Sequence, residues 1–396
     1  MGDDQFHHRD RCAISGIGAT DFTRNSGRSV LTLATQASLA AIADAGLTPQ
    51  DIDGIVRCDM DGVRSNDLVD ALGMTRLDYY GDAGPGGVAP TAMVAQAVAA
   101  VVSGMATAVL CYRSLNGRSG RRFGLSPVTS ASVGGAGTYD EYFLPYGLLT
   151  PGQIFGLMAQ RHMHQYGTNE KDLGAIAIAC RKRANANPHA QMHDKPLTMD
   201  DYLAARMISR PLRLFDFCLE TDGAAALIVT SAERGRDAPN PPALIRAAAA
   251  GSLVHPQPGI QFPVVLRDDI TTLPGKPTAD TLYRRAGLGP ADIDVAQLYD
   301  CFTITVLLQL EDFGFCAKGE GGSFVSSGAI ELGGTLPINT GGGHLSEGYI
   351  HGMNHIVEGV RQIRGTSTSQ VPGAETCLVT NTPLPPGSAL ILRSDS

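Results

Sequence analysis

No stretch of this 396-residue chain is apolar for long enough to cross a bilayer, so the sequence predicts no membrane-spanning role. Its eight cysteines form no close pair at metal or redox spacing, the nearest two being Cys301 and Cys316. That pattern predicts reduced thiols, many of them buried as small hydrophobes, rather than a disulfide framework. Positive charge is also in deficit. With a net charge of −8 the chain is not built to bind nucleic acid. The opening residues, Met1-Gly-Asp-Asp-Gln-Phe-His-His8, hold neither a basic region nor an apolar one, so no secretory leader is expected. Together these absences predict a cytoplasmic protein.

What is present begins with a repeat. Ala45-Gly-Leu-Thr-Pro-Gln-Asp-Ile-Asp-Gly-Ile55 and Ala286-Gly-Leu-Gly-Pro-Ala-Asp-Ile-Asp-Val-Ala296 share seven of eleven positions without a gap, 241 residues apart. Solenoid repeats recur every 20–50 residues or so, so this spacing points to one chain holding two copies of a half-domain.

Each copy sits in a run of alternating strands and helices. In the first half, Cys12-Ala-Ile-Ser-Gly-Ile-Gly reads as a buried strand. Ser29 caps a helix with Leu31, Leu33, Ala34, Ala37, Ala41 and Ile42 on its apolar side, and Gly46 stops it. A strand follows at Ile55-Val-Arg-Cys. Gly84-Pro-Gly-Gly then leads into an Ala/Val-rich helix over about 88–102 and a strand over 107–112. The pattern loosens over 113–210, which reads as a loop or insertion. It resumes with two strands within 211–250, and 251–278 is a Pro-rich connection. The second half, 279–396, repeats the theme with a strand into Gln297-Leu-Tyr-Asp, helices over 303–313 and 347–364, and two final strands. Residues 1–112 and 211–250 would thus form the first half. Alternation of this kind implies an α/β fold, built twice.

Several segments carry a family resemblance: Ser15-Gly-Ile-Gly-Ala-Thr-Asp-Phe22, Tyr299-Asp-Cys-Phe302, Gly319-Glu-Gly-Gly-Ser-Phe324, Asn339-Thr-Gly-Gly-Gly-His-Leu-Ser-Glu-Gly-Tyr-Ile-His-Gly-Met-Asn354 and Cys377-Leu-Val-Thr-Asn381. Over nearly the whole chain the sequence resembles the thiolase superfamily, in its sterol-carrier-protein-x or lipid-transfer-protein branch. The resemblance implies a five-layer αβαβα thiolase fold of two similar halves, acyl-CoA substrates and a dimeric core.

The departures from that family are informative. The turn that holds the thiolase nucleophilic cysteine is Asp82-Ala-Gly-Pro-Gly-Gly87 here, with no nucleophile in it. Tyr299 stands where a thiolase has a catalytic Asn, and Tyr349 stands for the His of its Gly-His-Pro motif. The second cysteine should fall near Asn381, and Cys377 lies too early in the strand. Without an activated thiolate there is no acyl-enzyme, which excludes Claisen chemistry by the usual route.

The tyrosine pair instead resembles the steroid side-chain aldolases of this branch. These split a β-hydroxyacyl-CoA by retro-aldol reaction into a ketone and propionyl-CoA or acetyl-CoA, and work with a small DUF35-type partner (OB-fold, zinc-ribbon) in a heterotetramer around a homodimer. The likeness implies Tyr299 and Tyr349 as the proton-transfer pair, with base and acid unassigned. Asp300, His344 and His351 are candidates for tuning them. Backbone N–H groups at Gly84, Gly86 and Gly87 would form an oxyanion hole at a helix start. No cofactor is expected on this chain: coenzyme A belongs to the substrate, and zinc to the partner.

Further candidates rest on residue type alone. Arg181, Lys182 and Arg183 suit the phosphates of coenzyme A, although a charge run is as readily a solvated face. His351 and His355 have the i, i+4 spacing of a helical metal pair but lack an evident third ligand, so no metal is expected. Cys301 would be the displaced nucleophile if the protein were an acyltransferase after all. A non-catalytic acyl-CoA or lipid carrier is the other rival. Gly134-Gly-Ala-Gly137 reads as a glycine-rich active-site loop, and Tyr139, Tyr142 and Tyr146 as a lining for a polycyclic substrate or as packing within the insertion.

Overall fold

The computed structural model describes residues 8–120, 122, 144–252 and 267–395. Nine strands form one mixed sheet that carries two copies of the same strand order. In the first copy β1 (Cys12–Ala19), β2 (Gly54–Cys58), β3 (Tyr79–Ala83), β4 (Ala108–Asn116) and β7 (Asp222–Ser231) run in the order β3-β2-β4-β7-β1. In the second, β8 (Ala243–Gly251), β9 (Val295–Gln297), β10 (Thr376–Asn381) and β11 (Gly387–Arg393) run β8-β11-β10-β9. The copies meet through only two residue pairs, Ala13 with Leu244 and Ile14 with Ala243. Moving out from that seam, both halves have two antiparallel pairings followed by a parallel one. Ile338 makes a single parallel bridge to Ala296, at the place that β3 takes in the first half. A separate hairpin, β5 (Met207–Ser209) and β6 (Leu212–Arg213), lies outside this sheet.

The eleven-residue repeat is the same structural joint twice. Gly46 and Gly287 end their helices in the left-handed conformation at φ 69° and 67°, as a C-terminal cap requires. Asp51 and Asp292 then accept from the backbone N–H three residues earlier, at 2.8 and 2.7 Å, closing short 3-10 turns. Asp53 accepts from the N–H groups of Thr107 and Ala108, and Asp294 from those of Glu375 and Thr376. Each aspartate thereby ties the entry of one strand to the start of the parallel strand beside it.

Helices complete five layers. The helices Val30–Asp44 and Ser65–Leu72 cover one outer face, packing Leu33, Ile42 and Leu68 on Ile55, Leu110 and Ile228. Ser29 Oγ accepts from the Thr32 N–H at 3.0 Å and caps the first of them. The helices Ala89–Val102 and Met353–Arg364 fill the middle, where Met93, Val98, Ile356 and Val360 meet side chains from both halves of the sheet. The helices Gly275–Ala286 and Thr303–Asp312 cover the other outer face.

Two expectations change. The stretch 113–210 is not a loop where it is described. It contains the helices Pro151–Tyr166, Glu170–Ala186 and Met199–Ala204, whose Ile154, Phe155, Leu173 and Ile176 join the core of the C-terminal half. The pattern looked loose because polar residues on these helices point inward onto partners. His162 is fully buried with its Nε2 3.0 Å from Glu311 Oε1 and its Nδ1 2.9 Å from Thr168 Oγ1. The helix expected over 347–364 begins only at Met353. His351 and Gly352 take positive φ values of 53° and 94°, which breaks the helix and turns the preceding residues into the site.

Candidate active site

Tyr299 follows β9 in the chain and is held there by its own backbone. Its N–H donates to Thr380 Oγ1 at 3.1 Å, and its carbonyl accepts from Thr305 Oγ1 and Gln309 Nε2 at 3.0 and 2.8 Å. Tyr349 is fixed across from it by the Thr221 hydroxyl, which accepts its N–H at 2.9 Å. The two phenol oxygens stand 3.0 Å apart, within hydrogen-bond range, so the structure brings together residues 50 apart in the chain. Burial and their mutual proximity push the Tyr299 hydroxyl well above its ordinary pKa, and burial does the same to Tyr349. Both are therefore neutral phenols at physiological pH.

His344 packs edge-on against both tyrosine rings, at 4.7 Å from Tyr299 and 4.9 Å from Tyr349. Behind it lies Asp300, fully buried, which accepts the N–H groups of His344 and Leu345 at 2.8 and 3.2 Å. Asp300 therefore does not face the phenols. Its Oδ1 is 3.3 Å from His344 Nδ1 and 3.1 Å from His355 Nε2. The histidines and these amides hold its carboxyl below the usual range against the opposing effect of burial. Burial together with the neighbouring His355 lowers the His344 pKa well below that of a free imidazole.

Asp300, His344 and His355 offer ligand atoms within 4.8 Å of one another, the set among the described residues with the makings of a metal site. The two imidazoles, however, stack at 4.1 Å with their planes only 24° apart. Nitrogen lone pairs lie in the ring plane, and two nearly parallel planes do not converge on one ion. The i, i+4 pair His351 and His355 does not form either, because the break at Gly352 separates them: His355 joins Asp300 while His351 Nδ1 accepts from Arg113 Nε at 3.2 Å.

The glycine turn closes the site from the first half. Gly87 lies against Tyr299, where a Cβ would overlap the phenol hydroxyl. Asn381 stitches this turn to the tyrosine loop, its Nδ2 donating to Gly87 O at 2.7 Å and His351 O at 3.0 Å. The Gly86 N–H is already committed to Asp59 Oδ1 at 3.0 Å, so it is not a spare oxyanion donor. Within the expected trio, Gly84 and Gly87 remain as the backbone candidates.

The Arg181–Lys182–Arg183 expectation fails on geometry. Consecutive residues of the Glu170–Ala186 helix point in different directions, and both arginines are buried. Arg181 donates to Ser346 Oγ and Lys195 O, each at 3.0 Å. Arg183 donates to Ala179 O, Ile330 O and Glu331 at 2.6, 2.7 and 3.1 Å. Lys182 alone is exposed, and it pairs with Glu331. These side chains pin the insertion to the C-terminal half and present no phosphate site. Cys301 is buried, its thiol pushed well above the ordinary value by burial and by Cys218, which is the opposite of activation. Gly134–Gly137, Tyr139 and Tyr142 lie outside the described residues; Tyr146 is exposed.

Three site residues escaped the sequence reading. Arg113 sits in β4 and Asp61 follows β2, joined by an ion pair of 3.0 Å with both side chains fully buried. The signal is an arginine directly after the apolar run Ala-Val-Leu-Cys-Tyr, where the sequence places the start of the loose stretch and the structure continues the strand to Asn116. His355 was visible only as half of a different pair.

Comparison with known proteins agrees with this architecture. The thiolase C-terminal domain-like family matches residues 263–389. A steroid side-chain-cleaving aldolase of Thermomonospora curvata is 46% identical over 385 residues, covering 97% of this chain and 98% of that protein. The 17-hydroxy-3-oxo-4-pregnene-20-carboxyl-CoA lyase of Mycobacterium tuberculosis is 45% identical, covering 96% and 99%. Among solved structures, an Ltp2-ChsH2(DUF35) aldolase superposes with a TM-score of 0.91 at 44% identity, over 98% of both chains.

Proposed function

Since the chain belongs to the thiolase-fold family of steroid side-chain-cleaving aldolases, we propose that it is a carbon–carbon lyase acting by retro-aldol cleavage on a 17-hydroxy steroid with a three-carbon acyl-CoA side chain. The products are a ketone and propionyl-CoA. The observation that carries the mechanism is the 3.0 Å contact between two neutral phenols, with no activated nucleophile beside them among the described residues.

Retro-aldol cleavage is neutral in protons: the one lost from the β-hydroxyl is the one gained by the α-carbon. A hydrogen-bonded pair of phenols can carry it without either ionising fully. One tyrosine oxygen accepts the hydroxyl proton and passes its own to the other. As the hydroxyl becomes a carbonyl, the Cα–Cβ electron pair moves into the thioester as an enolate. The second tyrosine then protonates the α-carbon. The direction of the relay is open, since either order balances. A lone phenolate would be hard to form here, which makes transfer between the two oxygens the easier course. The buried Asp300, His344 and His355 cluster holds the ring faces of the pair in place.

By the same reading the active form is a heterotetramer of two copies of this chain with two of a DUF35-type partner, which would carry any zinc. Support comes from the relative whose solved structure is an Ltp2-ChsH2(DUF35) aldolase. We place the reaction in the cytoplasm, in keeping with eight free cysteines.

The test is to offer the protein, co-purified with its partner, the 17-hydroxy acyl-CoA and separately the matching β-ketoacyl-CoA with free coenzyme A. Release of propionyl-CoA and ketone from the first, without added coenzyme A, is expected. Cleavage of only the second, dependent on coenzyme A, would mean a thiolase with a relocated cysteine. Tight binding without turnover of either would mean a carrier.

A further inference from the structure

One short segment touches the backbones on both sides of the phenol pair. Residues 217–221 run between the two tyrosine-bearing stretches just before β7 begins. On one side Phe217 bridges Phe302, and the Cys218 N–H donates to Cys301 O at 3.0 Å, two residues past Tyr299. On the other side the Leu219 N–H donates to His344 O at 2.9 Å, and Thr221 Oγ1 accepts the N–H of Tyr349 at 2.9 Å. The segment is itself tied to the end of β4, where the Gly117 N–H donates to Thr221 O at 2.9 Å. It therefore acts as the spacer between the two tyrosines, and Thr221 is its point of attachment to Tyr349.

The Thr221 hydroxyl is fully buried and has a fixed sense. A backbone N–H only donates, so the hydroxyl accepts from Tyr349 and has its single proton left to give. That proton goes to Gln191 Oε1 at 3.1 Å. Gln191 lies in the insertion, just beyond the helix Glu170–Ala186. It grips the tyrosine loop a second time through its own N–H, which donates to Glu347 O at 2.8 Å, while the Met192 N–H donates to Ser346 O at 3.1 Å. The loop needs such anchors because it stops short of the helix that begins at Met353. Outside a helix a buried N–H must find another acceptor, and at Tyr349 a side chain supplies it.

We propose that Thr221, with its hydroxyl oriented by Gln191, is the positioning residue that sets Tyr349 at proton-transfer distance from Tyr299. This rests on the lyase reading above. Neither Thr221 nor Gln191 gives or takes a proton in the reaction; both act through the backbone of Tyr349. Transfer between two phenol oxygens tolerates little displacement, so an anchor on one of the two backbones bears directly on turnover. The same chain of contacts gives the insertion a role at the site: it reaches the reacting pair through Gln191, without touching either phenol.

The test uses the full-length protein in its active assembly. The first readout is independent of turnover: hydrogen–deuterium exchange at the Tyr349 amide, resolved by mass spectrometry. Thr221→Val keeps the shape of the side chain but offers no acceptor, and should speed that exchange by about tenfold. In the lyase assay the same variant should lower kcat by about 10- to 10²-fold with KM little changed. Thr221→Ser, which keeps the hydroxyl, should recover most of the loss. Gln191 is only half-buried, so Gln191→Leu carries the test should Thr221→Val not fold; it should lower kcat in the same sense, and Gln191→Glu, which keeps an acceptor oxygen, should recover it. Added to Tyr349→Phe, Thr221→Val should reduce kcat little further, because the hydroxyl it positions is already gone. Losses that multiply in that double variant overturn the proposal. So does unchanged exchange at Tyr349 in folded Thr221→Val, even if the lyase reaction is confirmed. Absent lyase activity in the wild type, with exchange still dependent on Thr221, overturns the reaction and leaves the anchor.

Discussion

Gly87 and Tyr299 come from opposite halves of the molecule and touch so closely that no side chain fits between them: a Cβ on residue 87 would overlap the phenol hydroxyl. The phenol can give way only at the expense of its other contacts. Its ring is buried, flanked by His344 at 4.7 Å, and its backbone is pinned to Thr380 and Gln309. Gly87→Ala should therefore push the Tyr299 oxygen away from Tyr349 and break the 3.0 Å contact, at a stability cost of about 1–3 kcal/mol for overpacking. Lyase activity should fall at least as far as in Tyr299→Phe, while circular dichroism stays native. Activity close to wild type in a folded Gly87→Ala protein would show that the contact is dispensable.

The phenol pair also makes a prediction about additivity. If a proton passes from one oxygen to the other, removing either hydroxyl cuts the path. Tyr299→Phe and Tyr349→Phe should each reduce kcat by about 10²- to 10⁴-fold, and the double variant should be little worse than the poorer single one. Independent roles would instead give losses that multiply. A full double-mutant cycle on kcat with a single substrate separates the two cases.

The fold was legible where local chemistry repeats. The glycine stop, the proline turn and the two aspartates of each eleven-residue copy read out one structural joint, and it occurs twice as expected. The tyrosine pair was legible only through family likeness, because two tyrosines 50 residues apart carry no periodicity that would unite them. The illegible parts are those where a polar side chain is buried against a distant partner. Arg183 reads as surface charge until Ile330 O and Glu331 are seen to receive it. Arg113 reads as the first residue of a loose stretch until Asp61 is seen to neutralise it within a strand. Burial of a charge is decided by a partner that the local sequence does not name.

Arg183 and Lys182, neighbours on one helix, predict a clean separation of stability from substrate binding. Arg183→Met leaves two backbone carbonyls and Glu331 without their donor, which should destabilise the protein by about 3–5 kcal/mol. Lys182→Ala removes only an exposed pair and should change stability by less than about 1 kcal/mol. Neither should raise the KM for the acyl-CoA substrate in protein that remains folded. A large KM increase with unchanged thermal stability in either variant would restore this helix as a coenzyme A site.

Glu347, beside the tyrosine loop, predicts how stability varies with pH. It is buried, accepts from Asn354 Nδ2 at 3.0 Å and Asn187 Nδ2 at 3.4 Å, and lies near Glu358. Burial, with a smaller contribution from that second carboxylate, raises its pKa to about 8. The unfolded chain releases this proton near pH 4.5, so between there and about 8 the folded state binds one more proton than the unfolded state. Its contribution to stability is therefore fully present below pH 4.5 and is lost as pH rises to about 8, at no more than about 1.4 kcal/mol per pH unit. Glu347→Gln removes the titrating group and should flatten this slope, so that stability measured by urea unfolding declines less between about pH 5 and 8 than in the wild type. Parallel slopes in the two proteins would mean that Glu347 is already ionised in the fold, held by its asparagines rather than by a proton.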